Sequence, residues 1–301
     1  MKTLSYSKEI TQAKREKKPI VALETAVVTH GLPYPVNLKL AQDMEKQVRE
    51  QGAVPGTVGV LDGEVCVGLE PEQLHKLAEE KQLLKISRRD FAGAIAKGLS
   101  GGTTVAGTLT VLPQAGIHVF ATGGIGGVHR DAPFDVSADL PTMGQTPAIV
   151  VCAGAKAILD LPATLEYLET VAIPVIGYKT DEFPAFYART SGLPVSVRAN
   201  SAEEAASIAQ AHWRMGVQSA VLVVVPPPER DALPEALTEE AIAQAMDEAQ
   251  SLKIRGQQVT PFLLSRVSEL TGEASLKANL SLLLNNARVA AQIAKALRNQ
   301  G

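Results

Sequence analysis

Lys156 closes the apolar run formed by residues 148–155. A lysine in such surroundings has two interpretations. Burial disfavours the ammonium ion, so a desolvated lysine keeps some neutral amine that can attack a carbonyl carbon and form a Schiff base. Alternatively, the apolar strand ends at Gly154 and the lysine begins a helix with its head group in water. The position makes Lys156 a candidate nucleophile.

Glu24 ends the first apolar segment, within the sequence Val-Ala-Leu-Glu-Thr at residues 21–25. Open α/β sheets bind ligands beyond the carboxyl ends of their strands, which is where this residue is expected. An apolar environment would raise its pKa and let it deliver a proton near neutral pH. The alternative is a surface or helix-capping glutamate.

Two glycine-rich stretches, residues 100–104 and 122–130, are predicted to be turns that could bind an anion. Glycines let backbone N–H groups approach an oxyanion, and a helix N-terminus adds further donors. Tight turns that only pack against helices are the alternative. The adjacent His129 and Arg130 favour phosphate, because turn geometry requires neither side chain. Lys85, in the charged segment 85–90, could add a cation or could simply be solvated.

Asp135 and Asp139 are four residues apart, so in either a helix or a strand they would share one side. Two carboxylates on one side repel each other, and a divalent cation such as Mg²⁺ or Mn²⁺ would relieve that repulsion. In the alternative, one aspartate caps a helix and the other is solvated. The five histidines do not show the spacing of a zinc site.

Short β-rich runs alternate with helical patterns, which predicts an α/β fold with a largely parallel sheet. We expect strands at residues 19–23, 57–61, 64–69, 117–121, 148–152, 174–177 and 220–225. Helices are expected at residues 37–50, 71–80, 201–214, 235–249, 261–270 and 275–297, so the last third is rich in helix. Asp62-Gly63 predicts a tight hairpin, which would make the sheet mixed. No linker is evident, and residues 1–301 are expected to form a single domain.

Composition narrows the class of protein. Of the 301 residues, 46% are hydrophobic and only 4% aromatic, which suits a core of small aliphatic side chains. The net charge of -3 comes without a basic block, so a nucleic-acid partner is not expected. Cys66 and Cys152 lie in apolar runs and are expected to be buried thiols. No leader-like segment and no run of about 20 apolar residues is present, which predicts a cytoplasmic protein without a membrane partner.

Taken together, eight segments resemble the pseudouridine-5'-phosphate glycosidase family, also called indigoidine synthase A-like. They are LET (23–25), KISRRD (85–90), GGTTV (101–105), TGGIGGVHR (122–130), FDVSADL (134–140), VCAGAK (151–156), TDEFPAFY (180–187) and NNAR (285–288). The resemblance runs nearly from end to end, in order and without large insertions.

The resemblance implies a three-layer α/β/α fold, a homotrimer, and one Mn²⁺ ion per subunit. It implies reversible cleavage of the carbon–carbon glycosidic bond of pseudouridine 5'-phosphate to uracil and ribose 5-phosphate. Lys156 would be the nucleophile, Glu24 the proton donor and Asp135 the metal ligand. The residues expected to contact substrate are Lys85, Val105, Thr122, His129, Ser137, Ala138, Asp139 and Asn279.

Other functions also fit the residues. A Schiff-base aldolase or isomerase acting on another sugar phosphate would need a similar lysine and phosphate site, but no nucleobase. A non-catalytic sugar-phosphate-binding protein would not need Lys156. The same carbon–carbon chemistry on another base or on a pigment precursor is a further alternative.

Overall fold

In the computed structural model, residues 4–130, 132–252, 254 and 259–300 are described. Seven strands in this part of the chain form a parallel core: β2 (Ile20–Leu23), β3 (Val54–Leu61), β7 (Val119–Ala121), β10 (Ile149–Cys152), β12 (Val175–Tyr178), β13 (Val197–Ala199) and β14 (Val221–Val224). Their order across the sheet is β3-β2-β7-β10-β14-β12-β13, and each neighbouring pair is parallel. The predicted, largely parallel α/β sheet is confirmed.

Four further strands extend the sheet at the β3 edge and make it mixed: β1 (Ser5–Tyr6), β4 (Glu64–Val67), β5 (Leu84–Ile86) and β6 (Gly101–Thr103). Strands β4 and β6 run antiparallel to β3, while β5 runs parallel to β6. Asp62 and Gly63 join β3 to β4 with φ values of 50° and 80°, as the predicted two-residue hairpin requires. A separate antiparallel sheet contains β8 (Val128–His129), β9 (Ala132–Val136) and β11 (Leu159–Asp160).

The helices of the described chain are α1 (Lys8–Arg15), α2 (Val36–Glu50), α3 (Pro71–Glu79), α4 (Phe91–Ala96), α5 (Val105–Ala115), α6 (Asp139–Met143), α7 (Leu161–Thr170), α8 (Ala202–Arg214), α9 (Glu235–Ser251), α10 (Val259–Leu270) and α11 (Ala274–Gln300). A π-helical turn follows β2 at Val27–Gly31. The helix-rich last third is therefore confirmed. None of these helices is long and apolar enough to cross a membrane.

Helix ends follow local sequence signals. Thr104 begins α5 by accepting a hydrogen bond from the N–H of Gly107, and Gly116 ends it in the left-handed conformation. Ser201 and Asp160 cap α8 and α7 in the same way. Because parallel strands are joined by right-handed crossovers, α2 and α8 lie on one face of the sheet and α5 on the other. Helix α11 packs between α2 and α8, against the central strands.

The first glycine-rich stretch is not the predicted turn, because Gly101–Thr103 forms the buried strand β6. Its glycines are needed for close packing. A Cβ at Gly102 would lie 2.2 Å from the Thr29 hydroxyl oxygen and 2.7 Å from the Thr25 carbonyl oxygen. The small residue lets the strand lie directly against the turn that follows β2.

Candidate active site

Three neighbouring parallel strands bring the main candidate residues to one edge of the sheet. Glu24 directly follows β2, Thr122 directly follows β7, and Lys156 lies four residues beyond β10. Since β2, β7 and β10 are adjacent, residues far apart in sequence meet at their carboxyl ends. This edge forms a cleft.

The cleft has two halves. The polar half is lined by α5, by residues 135–139 and by the segment that carries Lys85. The apolar half is lined by the turn after β2 and by side chains from α10 and α11. Four residues line both halves: Glu24, Ala26, Lys85 and Lys156. A carboxyl group and two amines therefore stand at the junction.

Glu24 is almost fully buried, with 8% of its surface exposed. Burial raises the pKa of its carboxyl group, while the nearby Lys156 and a hydrogen bond from the Thr122 hydroxyl lower it in part. The upward shift in pKa is the change that a glutamate needs to deliver a proton near neutral pH. Lys85 is half-buried on β5, and burial together with the Lys156 ammonium lowers its pKa.

Thr122 is held from the opposite side by α11. The side-chain amide of Asn286 is fully buried and donates to the carbonyl oxygens of Thr122 and Gly123, at 2.9 Å and 3.3 Å. Fixing this backbone fixes the hydroxyl that donates to Glu24. In the sequence, Asn286 stands out only as part of the motif NNAR, which by itself indicates no role for it.

Lys156 is half-buried and lies in a loop, so it does not begin a helix as the alternative interpretation supposed. Its backbone N–H donates to the Ile125 carbonyl oxygen at 3.0 Å, which ties it to the second glycine-rich stretch. That loop places the side chain between the two halves of the cleft. Its role as nucleophile stays a prediction.

The anion held by the backbone of the polar half is the protein's own Asp139. One carboxylate oxygen accepts from the Ala106 N–H at 2.9 Å and the other from the Gly126 N–H at 2.8 Å. The Thr104 hydroxyl oxygen accepts a hydrogen bond from the Gly107 N–H. Within the described part of the chain the N–H of Val105, the first residue of α5, has no such partner and is a helix-end donor for a ligand.

Asp135 and Asp139 both line the polar half, but no single strand or helix carries both of them. Strand β9 ends at Val136 and α6 begins at Asp139, so the chain changes conformation between them. Asp139 caps the start of α5, whereas Asp135 is exposed on the wall of the polar half. His129, Ser137 and Ala138 line the same half.

Arg130 is committed to the fold and does not serve as a phosphate anchor. Its guanidinium group forms a two-point ion pair with Glu239 at 2.7 Å and 2.8 Å. It also donates to the carbonyl oxygens of Leu159 and Ala157. These contacts hold the residue that follows β8 against α9, and the guanidinium group is used within the protein.

The described residues support only a simple metal site. No three aspartate, glutamate, histidine or cysteine side chains in this part of the chain come together as a metal-binding group. Hard divalent cations are often held through one or two carboxylates and keep several waters. Asp135 fits such a site, with water or substrate as the other ligands.

The apolar half contains residues that the sequence analysis missed. Val27 and His30 come from the π-helical turn, Leu264 from α10 and Leu283 from α11. Phe186 adopts a φ of 60° and places its ring so close to Gly124 that a Cβ there would lie 2.6 Å from it. Asn279, predicted from sequence, does line this half. No sequence periodicity marks these loop and helix positions as neighbours.

The fold and site define an α/β enzyme whose cleft combines a buried acid, amines and a helix N-terminus. The sequence profile described as "Indigoidine synthase A like protein" matches residues 9–296. The chain belongs to this family, as the resemblance implied.

Close relatives cover almost the whole chain. The pseudouridine-5'-phosphate glycosidase of Caldanaerobacter subterraneus is 50% identical over 97% of this chain and 95% of its own length. That of Escherichia coli is 48% identical over 97% and 95%. The crystal structure of the prealnumycin C-glycosynthase AlnA in complex with ribulose 5-phosphate superposes with a TM-score of 0.92. It is 42% identical and covers 100% of this chain and 98% of the other.

The buried Glu24 predicts a pH-dependent stability difference. Its raised native-state pKa means that the folded protein binds this proton more tightly than the unfolded chain does. That contribution is fully present below the ordinary glutamate value of 4.5 and is lost as pH rises through the native value. Glu24→Gln should therefore gain stability relative to wild type as pH rises above 4.5, as measured by thermal unfolding. Glu166→Gln, at an exposed position on α7, is the control. A difference that is flat or reversed with pH would contradict the assignment.

Proposed function

We propose that this enzyme reversibly cleaves the carbon–carbon glycosidic bond of pseudouridine 5'-phosphate, giving uracil and ribose 5-phosphate. The observation that carries the proposal is the position of Glu24 and Lys156, which line both halves of one cleft. A sugar phosphate in the polar half and a planar base in the apolar half would place the bond between them beside both residues. The names of the relatives support this substrate.

The polar half supplies what a phosphorylated sugar needs. Lys85 contributes a cation, the Val105 N–H adds a donor at the N-terminal end of α5, and Ser137 adds a hydroxyl. We assign the contacts of His129, Ala138 and Asp139 to the same sugar phosphate. The related C-glycosynthase, whose structure contains ribulose 5-phosphate, supports a five-carbon sugar phosphate as ligand.

Breaking a bond from sugar carbon to base carbon sends the bonding electrons to the base, so C1' requires an electron-pair donor as the bond breaks. Glu24 delivers a proton to the ring oxygen as the C1'–O4' bond breaks, and the Lys156 amine adds to C1'. The lysine nitrogen pair then forms a C=N bond while the electrons of the C1'–C5 bond move to uracil C5, which takes a proton. Water hydrolyses the resulting iminium and releases ribose 5-phosphate.

The remaining groups orient these steps. Thr122 holds the Glu24 carboxyl group by its hydrogen bond, and Asn279 provides an amide for the polar edge of the base. We propose that Asp135 holds Mn²⁺; when bound, the ion would supply Lewis-acid polarisation of ligand oxygens. The 5'-phosphate, bound far from the reacting bond, would fix C1' beside Lys156.

The substrate assignment is tested by chromatographic detection of uracil released from pseudouridine 5'-phosphate with Mn²⁺. We expect release to fall after EDTA treatment, and kcat/KM for unphosphorylated pseudouridine to be at least about 100-fold lower because the anchoring phosphate is missing. Asp135→Asn should raise the Mn²⁺ concentration needed for half-maximal activity. No uracil release by folded, metal-supplied protein would overturn the substrate assignment and favour a sugar-phosphate aldolase or a binding protein.

The covalent role of Lys156 predicts that Lys156→Ala lowers kcat by at least about 1,000-fold, since the proposed mechanism depends on the electron pair of its amine. Borohydride reduction during turnover should attach the sugar phosphate to wild-type protein, at Lys156 in a peptide map. Lys46→Ala, an exposed lysine on α2, should behave as wild type. A substantial residual rate without Lys156, or a label on another lysine, would disprove the mechanism.

We also propose a cytoplasmic homotrimer. A phosphorylated substrate, which does not diffuse across membranes, supports the location. Phe134, 99% exposed on β9 beside the cleft, is an apolar side chain that a subunit interface could cover. Sedimentation should give the mass of three chains, and Phe134→Asp should shift the protein toward smaller species. A monomer at all concentrations would rule the trimer out.

A further inference from the structure

His30 links the two parts of the cleft that carry Glu24 and Lys85. It lies in the π-helical turn Val27–Gly31, which follows Glu24 closely in the chain, and it lines the apolar half. One ring nitrogen, Nε2, lies 3.2 Å from the carbonyl oxygen of Leu83, directly before β5. The other, Nδ1, lies 2.7 Å from the Thr29 hydroxyl oxygen.

The two partners determine how the ring is protonated. A carbonyl oxygen can only accept, so Nε2 carries the hydrogen and donates it to Leu83. Nδ1 of the neutral ring then accepts from the Thr29 hydroxyl. Burial lowers the pKa of His30, which favours this neutral form at physiological pH. Both nitrogens are thus used within the protein, and neither is free to exchange a proton with substrate.

The strand that carries Lys85 is short and is held through its backbone. Strand β5 is three residues long, its ladder partner is β6, and its two ends also bond to the backbone of Ser100 and Thr104, on either side of β6. The Lys85 side chain makes no hydrogen bond or ion pair within the described part of the chain. Its position therefore depends on its backbone, and the His30–Leu83 bond ties the start of that backbone to the turn after β2.

The opposite end of the link is rigid. The Thr29 N–H donates to the Thr25 carbonyl oxygen at 2.9 Å, and the Thr25 hydroxyl donates to the Val58 carbonyl oxygen and accepts from the Thr103 N–H. Thr25 directly follows Glu24. The turn that contains His30 is thus fixed to the same backbone as the acid. A ring bonded to Leu83 transfers that rigidity to the neighbouring strand.

We propose that His30 is a positioning residue that sets the distance between Glu24 and Lys85, acting on the sugar phosphate through Lys85. The proposal rests on the proposed function for the role of Lys85, and it adds a residue outside the predicted site. His30 itself need not touch the phosphate.

Two substitutions separate the two bonds of the ring. Gln can place an amide N–H near the position of Nε2 and so keep the bond to Leu83, whereas Asn can keep only the contact with Thr29. We expect His30→Asn and His30→Ala to raise the dissociation constant for ribose 5-phosphate about 10-fold, and His30→Gln to restore most of that loss. His118→Ala, an exposed histidine before β7, is the control.

The experiment measures ribose 5-phosphate binding by calorimetry and, separately, KM and kcat for pseudouridine 5'-phosphate. We expect KM to rise about 10-fold in His30→Asn with kcat changed less than about 3-fold, and no further rise when His30→Asn is added to Lys85→Ala. A generally destabilising substitution would instead lower kcat and add its effect to that of Lys85→Ala.

The outcomes distinguish the two proposals. If wild type binds ribose 5-phosphate but does not turn over the nucleotide, the proposed function fails, and the calorimetric series still tests His30. If wild type is active and His30→Asn binds ribose 5-phosphate like wild type, the positioning role is wrong. Equal, additive losses in the Lys85→Ala background would also overturn it.

Discussion

The site depends on the burial of one carboxyl group beside two amines. Glu24 is removed from water at the edge of the sheet, where Lys156 and Lys85 are the nearby positive charges. Burial favours the neutral acid, whereas the lysines favour the carboxylate. Because burial raises its pKa, the Glu24 carboxyl group can keep its proton at a pH at which a glutamate in water would have lost it. The surrounding structure holds the carboxyl group and the two lysines in these positions.

Hydrogen bonds within the protein hold the residues of the site in place. Asn286 reaches from α11 to the backbone around Thr122, and Thr122 in turn bonds to Glu24. Asp139 joins the start of α5 to the second glycine-rich stretch. Backbone N–H groups that could have bound a ligand anion therefore bind the Asp139 carboxylate instead. The groups of the polar half that remain for a ligand include Lys85, Ser137 and the Val105 N–H.

The two halves of the cleft differ in chemistry and in structural origin. The polar half is built from short elements near the sheet edge, including β5 and the start of α5. The apolar half takes side chains from α10 and α11, at the far end of the sequence. Residues that line the polar half can therefore vary separately from those that line the apolar half. Proteins similar to this chain include both pseudouridine-5'-phosphate glycosidases and a prealnumycin C-glycosynthase.

The sequence by itself determined the fold class, six of the seven strands of the parallel core, six of the described α-helices, the Asp62-Gly63 hairpin and the positions of Glu24 and Lys156. These follow from local patterns: apolar runs, turn residues and charged residues at strand ends. Only the tertiary structure decided that Gly101–Thr103 is a strand, that Arg130 is paired with Glu239, and that Asp139 is an internal cap. The contacts of His30 with Leu83 and of Asn286 with the backbone of Thr122 were likewise visible only in the tertiary structure. Each of these outcomes depends on a partner distant in sequence, and the spacing of residues along the chain carries no record of which partner the packing brings near.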